Sequence, residues 1–168
     1  MNILVIKSSV FGDNGNSSSL VNSQLAALQA QHPDATVVVR DLSTDPIPHL
    51  DGERVGAFFT PADQRSDDPQ AVDAFSMALI DELKTADHIV LGLPMYNFGI
   101  PSQLKSWIDH VARAGVTFRY TENGPQGLLD DKPVTVLAAR GGLYAGTEND
   151  TVTPYIKWFC GFIGMTDV

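Results

Sequence analysis

Cysteine is almost missing from this chain. Its one residue, Cys160, excludes an internal disulfide and leaves no cluster from which to build a structural zinc site. Cationic residues are also scarce, with 11 Lys and Arg against 20 Asp and Glu and a formal net charge of −9. Nucleic acid and anionic lipid both require a basic surface, so neither is expected as the main partner. No apolar run approaches the length that crosses a bilayer. The amino-terminal MNILVIKSSV has no basic flank and no small-residue cleavage site, so it reads as a first strand and not as a signal peptide. His32, His49, His88 and His110 show no metal-ligand spacing, and no metal is expected. GxSxG is missing, which counts against a serine hydrolase of the α/β type, and so are the Walker A and GxGxxG phosphate loops. There is no internal repeat, low-complexity tract or block of like charge. These absences leave a cytoplasmic globular protein.

What is present suits one domain over residues 1–168. Apolar residues make up 43% and charged residues 18%, enough for a sizeable core. Residues 2–7 (NILVIK), 36–40 (TVVVR), 88–93 and 134–138 (VTVLA) are short, nearly continuous apolar runs that read as strands. Helical periodicity covers 18–30, where Leu20, Val21, Leu25 and Leu28 share a face. A further helix is expected from Pro69, with Asp68 as its N-cap, and another from Pro101, with Leu104, Trp107, Ile108 and Val111 inward. The last spans about 152–163. Residues 41–68 form an excursion rich in Pro, Asp and Gly, too long for an ordinary connection and suited to a lid or a partner-binding segment. Residues 115–132 form a second excursion, expected to be an irregular hairpin. Apolar strands alternating with helices imply an α/β doubly wound parallel sheet with helices on both faces. Only four strands can be counted, and a fifth would begin near Thr166-Asp167-Val168, so the chain is expected to be C-terminally incomplete.

In such a sheet, ligands bind outside the carboxyl ends of the strands where strand order reverses. Three loops lie at that edge. SSVFGDNGNSS offers hydroxyls, amides and a following helix N-terminus, which can hold a phosphate without lysine. Taken alone it is equally well a polar loop before a serine-capped helix. PMYNFG places thioether, aromatic and amide groups beside exposed backbone, a wall for a planar heterocycle with polar edges. ARGG supplies a glycine pair where backbone approaches a ligand closely. Phosphate at the first loop and ring at the other two describe a bound flavin mononucleotide.

At these residues the chain resembles the FMN-dependent NADH:quinone oxidoreductases known as azoreductases, a flavodoxin-like family. The resemblance is carried by KSS at 7–9, RDL at 40–42, PIP at 46–48, LDGE at 50–53, PMYNFGIPSQLKSWID at 94–109, ARAGVTFRYTENGPQGL at 112–128, RGG at 140–142 and GFIGMTDV at 161–168. It implies two-electron transfer from NADH to quinones and aromatic azo compounds in ping-pong order, with FMN bound non-covalently. It implies that Ser9, Gly15, Asn16 and Ser17 hold the phosphate and ribityl end. Met95, Tyr96, Asn97 and Phe98 would hold the ring, and Ala139, Arg140, Gly141 and Gly142 would close over it. Many relatives carry Ser where this chain has Ala139, so one side-chain contact is lost. The resemblance further implies a fifth strand, a final helix, and a homodimer with active sites at the interface. No side chain is required as a nucleophile or obligatory base, and no catalytic residue is assigned.

Lys7, Arg119 and Arg140 are candidate cations to offset the anionic ligands, each with solvated surface charge as the ordinary alternative. Cys160 reads as an inert packed thiol. Asp67-Asp68 and Asp130-Asp131 read as caps and turns. Tyr155, Trp158, Phe159 and Phe162 exceed what one helix face usually buries. They suit either a two-sided core helix or a wall shared between subunits. Two rivals to an enzyme stay open: a flavodoxin-type electron carrier without its own turnover, and a regulatory protein that binds NADH or quinone.

Overall fold

The computed structural model describes residues 1–168. Strand β1 (Asn2–Lys7) and strand β3 (His88–Pro94) are apolar on both faces, and both are buried nearly end to end. They are neighbours at the centre of a four-stranded parallel sheet. Strand β2 (Thr36–Asp41) flanks β1 and strand β6 (Val134–Ala139) flanks β3, giving the order β2-β1-β3-β6. Leu4 pairs with Val38 on one side and Ile89 on the other, which fixes the register. The period-2 pleat then sends successive residues of β1 to opposite faces. Ile3 and Val5 meet Val21 and Leu28 of helix α1 (Asn16–Gln31). Leu4 and Ile6 join the larger core on the other face. There they meet helices α3 (Asp67–Thr85), α4 (Ser102–Val111) and α5 (Val152–Ile163). Each such side chain contributes about 1.5–3 kcal/mol when fully buried. The doubly wound parallel sheet with helices on both faces is therefore present. It holds four strands, and the expected fifth strand and last helix are not among its elements.

Several boundaries differ from those expected. Helix α3 starts at Asp67 after Ser66, so Asp68 is not its N-cap and Pro69 falls in its first turn. Proline is tolerated there because first-turn N–H groups have no intrahelical acceptor. Helix α1 starts at Asn16, and Pro101 caps α4 instead of opening it. The second excursion is the hairpin of strands β4 (Phe118–Thr121) and β5 (Gly124–Gly127).

The first excursion contains helix α2 (Gly52–Phe59), whose N-cap Asp51 accepts from the Arg54 N–H at 2.9 Å. It is bolted down and not a free flap. Arg65 donates to the Thr60 carbonyl at 2.8 Å and to Asp73 of α3 at 2.6 Å. Arg113 reaches the other Asp73 oxygen at 2.7 Å and lies 3.7 Å from the centre of the Phe58 ring. His110 is fully buried against the edges of Phe58 and Phe75, with Nε2 3.0 Å from the Pro48 carbonyl.

Burial pulls the His110 pKa below the ordinary histidine value, the Pro48 carbonyl opposes this, and Arg54 and Arg113 lower it further. The unfolded chain therefore takes up this proton first, from about pH 6.5 downward. Stability due to neutral His110 is fully present above that pH and is lost as pH falls from it toward the folded value. The thermal midpoint is expected to drop between pH 7.5 and 5.5, and to drop less in His110→Gln. Equal pH slopes for the two proteins would show that His110 is not the group responsible.

At the C-terminal end, Asp131 accepts from the Thr166 N–H and hydroxyl, each at 2.7 Å, so it caps no helix and instead ties down a distant chain segment. These bonds hold its carboxyl below the usual range. The Val134 N–H donates to the Asp167 carbonyl at 2.8 Å.

Candidate functional site

The carboxyl ends of β1, β3 and β6 converge on one cavity of about 180 Å³. Strand order reverses between β1 and β3, so the cavity lies at the switch point. From the first loop it receives Ser9, Gly15, Asn16 and Ser17, together with Phe11. The second loop adds Met95 and Tyr96 beside Pro94, and the third adds Ala139, Arg140 and Gly141. Nine of the twelve residues expected at the site thus line one cavity. Asn97, Phe98 and Gly142 stand outside the lining, in the turn and loop that border it. Phe11 and Pro94 had no place in the expected set. A lone aromatic in a polar loop was the available signal for Phe11.

The first loop is locked to the second. Ser9 Oγ and Tyr96 Oη are 3.2 Å apart, the Val10 N–H donates to Tyr96 Oη at 3.3 Å, and the Phe11 N–H donates to Ser9 Oγ at 3.2 Å. Ser8 turns the other way and donates to the Gly92 carbonyl at 2.7 Å. The first backbone bond of α1 runs from the Ser19 N–H to the Gly15 carbonyl at 3.0 Å, so the amides of Asn16, Ser17 and Ser18 have no backbone acceptor. Ser17 and Ser18 are buried, and their hydroxyls have no partner. A buried, unpaired hydroxyl is costly unless something binds it. Ser17 lines the cavity, so its hydroxyl and the free amides make a neutral donor cradle suited to a phosphate.

Tyr96 and Gly99 exchange backbone hydrogen bonds at 2.9 and 3.0 Å around Asn97 and Phe98, whose φ values are +50° and +60°. This is a two-residue hairpin of type I′, in which asparagine suits the first central position and glycine normally takes the second. Phe98 there costs about 1–3 kcal/mol of backbone strain. The surroundings hold it: Thr151 Oγ1 donates to the Phe98 carbonyl, and its ring centre lies 6.0 Å from that of Tyr144. The amides of Asn97 and Phe98 make no hydrogen bond within the protein.

The Met95 N–H donates to the Ala139 carbonyl at 2.9 Å, which joins the second and third loops through backbone alone. Loss of a hydroxyl at position 139 leaves that join intact. Of the three candidate cations, none is a solvated charge at the cavity mouth. Lys7 pairs with Asp13 at 2.5 Å, and Arg119 lies on the β4–β5 hairpin with Gln126 at 3.0 Å. Arg140 is the one charged residue of the lining, and it is paired with Asp150.

On α5, Phe162 stacks 4.3 Å from Phe118 and Phe159 meets Trp107 edge-on, while Trp158 is 80% exposed. Tyr120 of the hairpin, edge-on to Phe118, is 75% exposed. Cys160 is buried, and burial pushes its thiol up to about 12, so it is unreactive at neutral pH.

A parallel sheet wound on both faces, with a neutral phosphate cradle and an apolar wall at its switch point, defines a flavodoxin-like protein. A family model described as having the flavodoxin-like fold matches residues 1–168. The FMN-dependent NADH:quinone oxidoreductase of Alcanivorax borkumensis is 83% identical over 168 residues, covering 100% of this chain and 85% of that protein. That of Cellvibrio japonicus is 55% identical over 166 residues, covering 99% and 83%. Among solved structures, the azoreductase AzrA superposes with a TM-score of 0.90 at 30% identity, over 100% of this chain and 84% of that one. An FMN-dependent NADH-azoreductase from Bacillus anthracis, in complex with FMN, superposes with a TM-score of 0.87 at 26% identity, over 99% and 84%. The chain belongs to the flavodoxin-like family of FMN-dependent NADH:quinone oxidoreductases and azoreductases.

Proposed function

We propose that this chain, as one domain, binds a single FMN non-covalently in the switch-point cavity and transfers two electrons from NADH to quinones and aromatic azo compounds. The observation that carries this is the buried, unpaired Ser17 hydroxyl beside the free amides of α1, facing a cavity walled by Met95 and Tyr96. FMN, when bound, would supply the redox chemistry that links donor and acceptor in ping-pong order. The chain supplies placement. Asn16 and Ser17 would hold the phosphate end through neutral donors. Gly15, whose own N–H is bonded to the Gly12 carbonyl, lets the loop pass close to Ser9, and Ser9 keeps that loop fastened to Tyr96. Met95 offers an apolar surface to a ring face. The free amides of Asn97 and Phe98, in the turn bordering the cavity, and the Gly141 backbone in its lining would be available as N–H donors to a ring edge that gathers negative charge.

The exposed aromatics of α5 and the β4–β5 hairpin support a homodimer with active sites at the interface, since Trp158 and Tyr120 have no cover within the chain. No helix is long and apolar enough to cross a membrane, which agrees with a cytoplasmic enzyme. Denaturing the purified protein is expected to release one FMN per chain, and the native protein is expected to oxidise NADH when a quinone is supplied. Release of FAD, or of no flavin after supplementation, defeats the cofactor assignment. Bound FMN without quinone-dependent NADH oxidation would instead leave an electron carrier.

A further inference from the structure

Arg140 follows β6 and lines the cavity, and its guanidinium is held by residues at the start of α5. Its Nη2 donates to Asp150 Oδ1 at 2.9 Å and Oδ2 at 3.0 Å, and also to Thr153 Oγ1. Asp150 Oδ1 accepts a further bond from the Thr153 N–H at 3.2 Å. The pair is sheltered, with side-chain exposures of 11% for Arg140 and 6% for Asp150. Burial alone would raise the Asp150 carboxyl, but the bonds from Thr153 and Arg140 more than offset it and leave it below the usual range. Removing two charges from water carries a desolvation cost that a surface pair avoids.

The location gives the pair a consequence. Between residues 140 and 150 the chain leaves the body as an exposed loop with Leu143 fully exposed, and most of its internal bonds are short turns such as Tyr144 N–H to the Gly142 carbonyl at 3.0 Å. The Arg140–Asp150 bridge closes that loop at its two ends. Arg140, Asp150 and Thr153 also border a second cavity of about 370 Å³, and Arg140 is the residue that this cavity shares with the switch-point cavity. Arg140 is also the only formal charge in the wall of the switch-point cavity, and Asp150 cancels it.

We propose that Asp150 is a positioning residue of the site: by clamping Arg140 to α5 it fixes the Gly141–Gly142 loop and neutralises the one cation in the cavity wall. This rests on the FMN assignment for its second half only. The consequence is a site whose anionic ligand is held by neutral donors, with the wall charge masked. Unmasking Arg140 would favour the anionic reduced flavin and raise the flavin midpoint potential.

The test compares wild type, Asp150→Asn and Glu148→Gln, the last removing one charge from the same loop at an exposed residue without a partner. In cofactor-free full-length protein, amides 141–149 are expected to exchange about tenfold faster in Asp150→Asn, and at the wild-type rate in Glu148→Gln. In FMN-loaded protein, Asp150→Asn is expected to bind FMN about tenfold more weakly and to show a raised midpoint potential. Adding Arg140→Gln to Asp150→Asn should return the potential toward wild type while leaving the loop fast. Should Asp150→Asn fail to fold, Asp150→Glu keeps the charge with a different reach, so its loop is expected to loosen while its potential holds. Unchanged exchange over 141–149 overturns the proposal, and so does a loosened loop with an unmoved potential, because Asp150 would then be scaffold alone. Wild-type protein that takes up no FMN defeats the cofactor assignment, and the cofactor-free exchange comparison still decides the clamp.

Discussion

Gly164→Ala is expected to be among the most destabilising single substitutions in this protein. Gly164 follows α5 with φ +113°, a conformation that side chains rarely adopt, and a Cβ there would lie 2.4 Å from the Leu129 carbonyl oxygen. The strained φ costs about 1–3 kcal/mol, and overpacking adds about 1–3 kcal/mol. Neither side can yield cheaply, because the Leu129 N–H is bonded to the Ile163 carbonyl at 3.0 Å and the Gly164 N–H to the Cys160 carbonyl at 3.1 Å. Relief would break the bonds that seat the β5 end of the hairpin on α5. Against a net stability of about 5–15 kcal/mol this is a large fraction. Gly56→Ala is the control: it sits inside α2 with nothing near its would-be Cβ, and should stabilise by about 0.5–1 kcal/mol. Urea midpoints measure both. A Gly164→Ala protein within about 1 kcal/mol of wild type would show that the Leu129 contact relaxes freely.

Gly15→Ala is expected to weaken FMN binding strongly while leaving the fold. A Cβ at Gly15 would lie 2.1 Å from Ser9 Oγ and 2.6 Å from Ser9 Cβ. Rotating the hydroxyl relieves only the first contact, and it would break the bonds to Tyr96 and the Phe11 N–H. The loop must therefore move away from the start of α1, separating Ser9 from the donor cradle. A distortion of about 1–3 kcal/mol confined to the bound geometry weakens binding by roughly 10- to 100-fold. The core lies elsewhere, so the unfolding midpoint should move little. Fluorescence titration with FMN reads the affinity, and wild-type affinity in Gly15→Ala would mean that the first loop does not hold the phosphate.

The parts of this molecule set by local patterning were legible in the sequence. Apolar runs gave the four parallel strands, and the aromatic-rich periodicity at 152–163 matches α5 at both ends. The three loops at the sheet edge followed from strand order, and nine of their twelve expected residues share a cavity. What escaped was set by tertiary partners. GERVGAFF forms α2 because Phe58 and the Arg65–Asp73–Arg113 bridges hold it against α3, and none of those partners is local. Phe98 carries no signal for a positive φ, since its conformation is enforced by the Tyr96–Gly99 bonds and by Thr151. Arg140 was open as a ligand-facing cation or a solvated charge, and its pairing escaped because it depends on how α5 docks, although Asp150 is only ten residues away. Helix starts slipped by one or two residues because α1, α3 and α4 lack a capping side-chain bond that a sequence pattern would reveal.

The sheet order also governs events during synthesis. Strand β1 ends at Lys7, and its partners β2 and β3 end at Asp41 and Pro94. At about 5–20 residues per second, the ribosome completes β3 roughly 4–17 seconds after β1. Through that interval NILVIK, a central strand buried nearly end to end, exists in the nascent chain with at most one edge paired and without the α3 and α4 side of its core. Such a segment is what hydrophobic-binding chaperones recognise. The architecture that places the switch point beside β1 thereby makes the amino-terminal strand the one most dependent on protection while the rest of the chain is still being made.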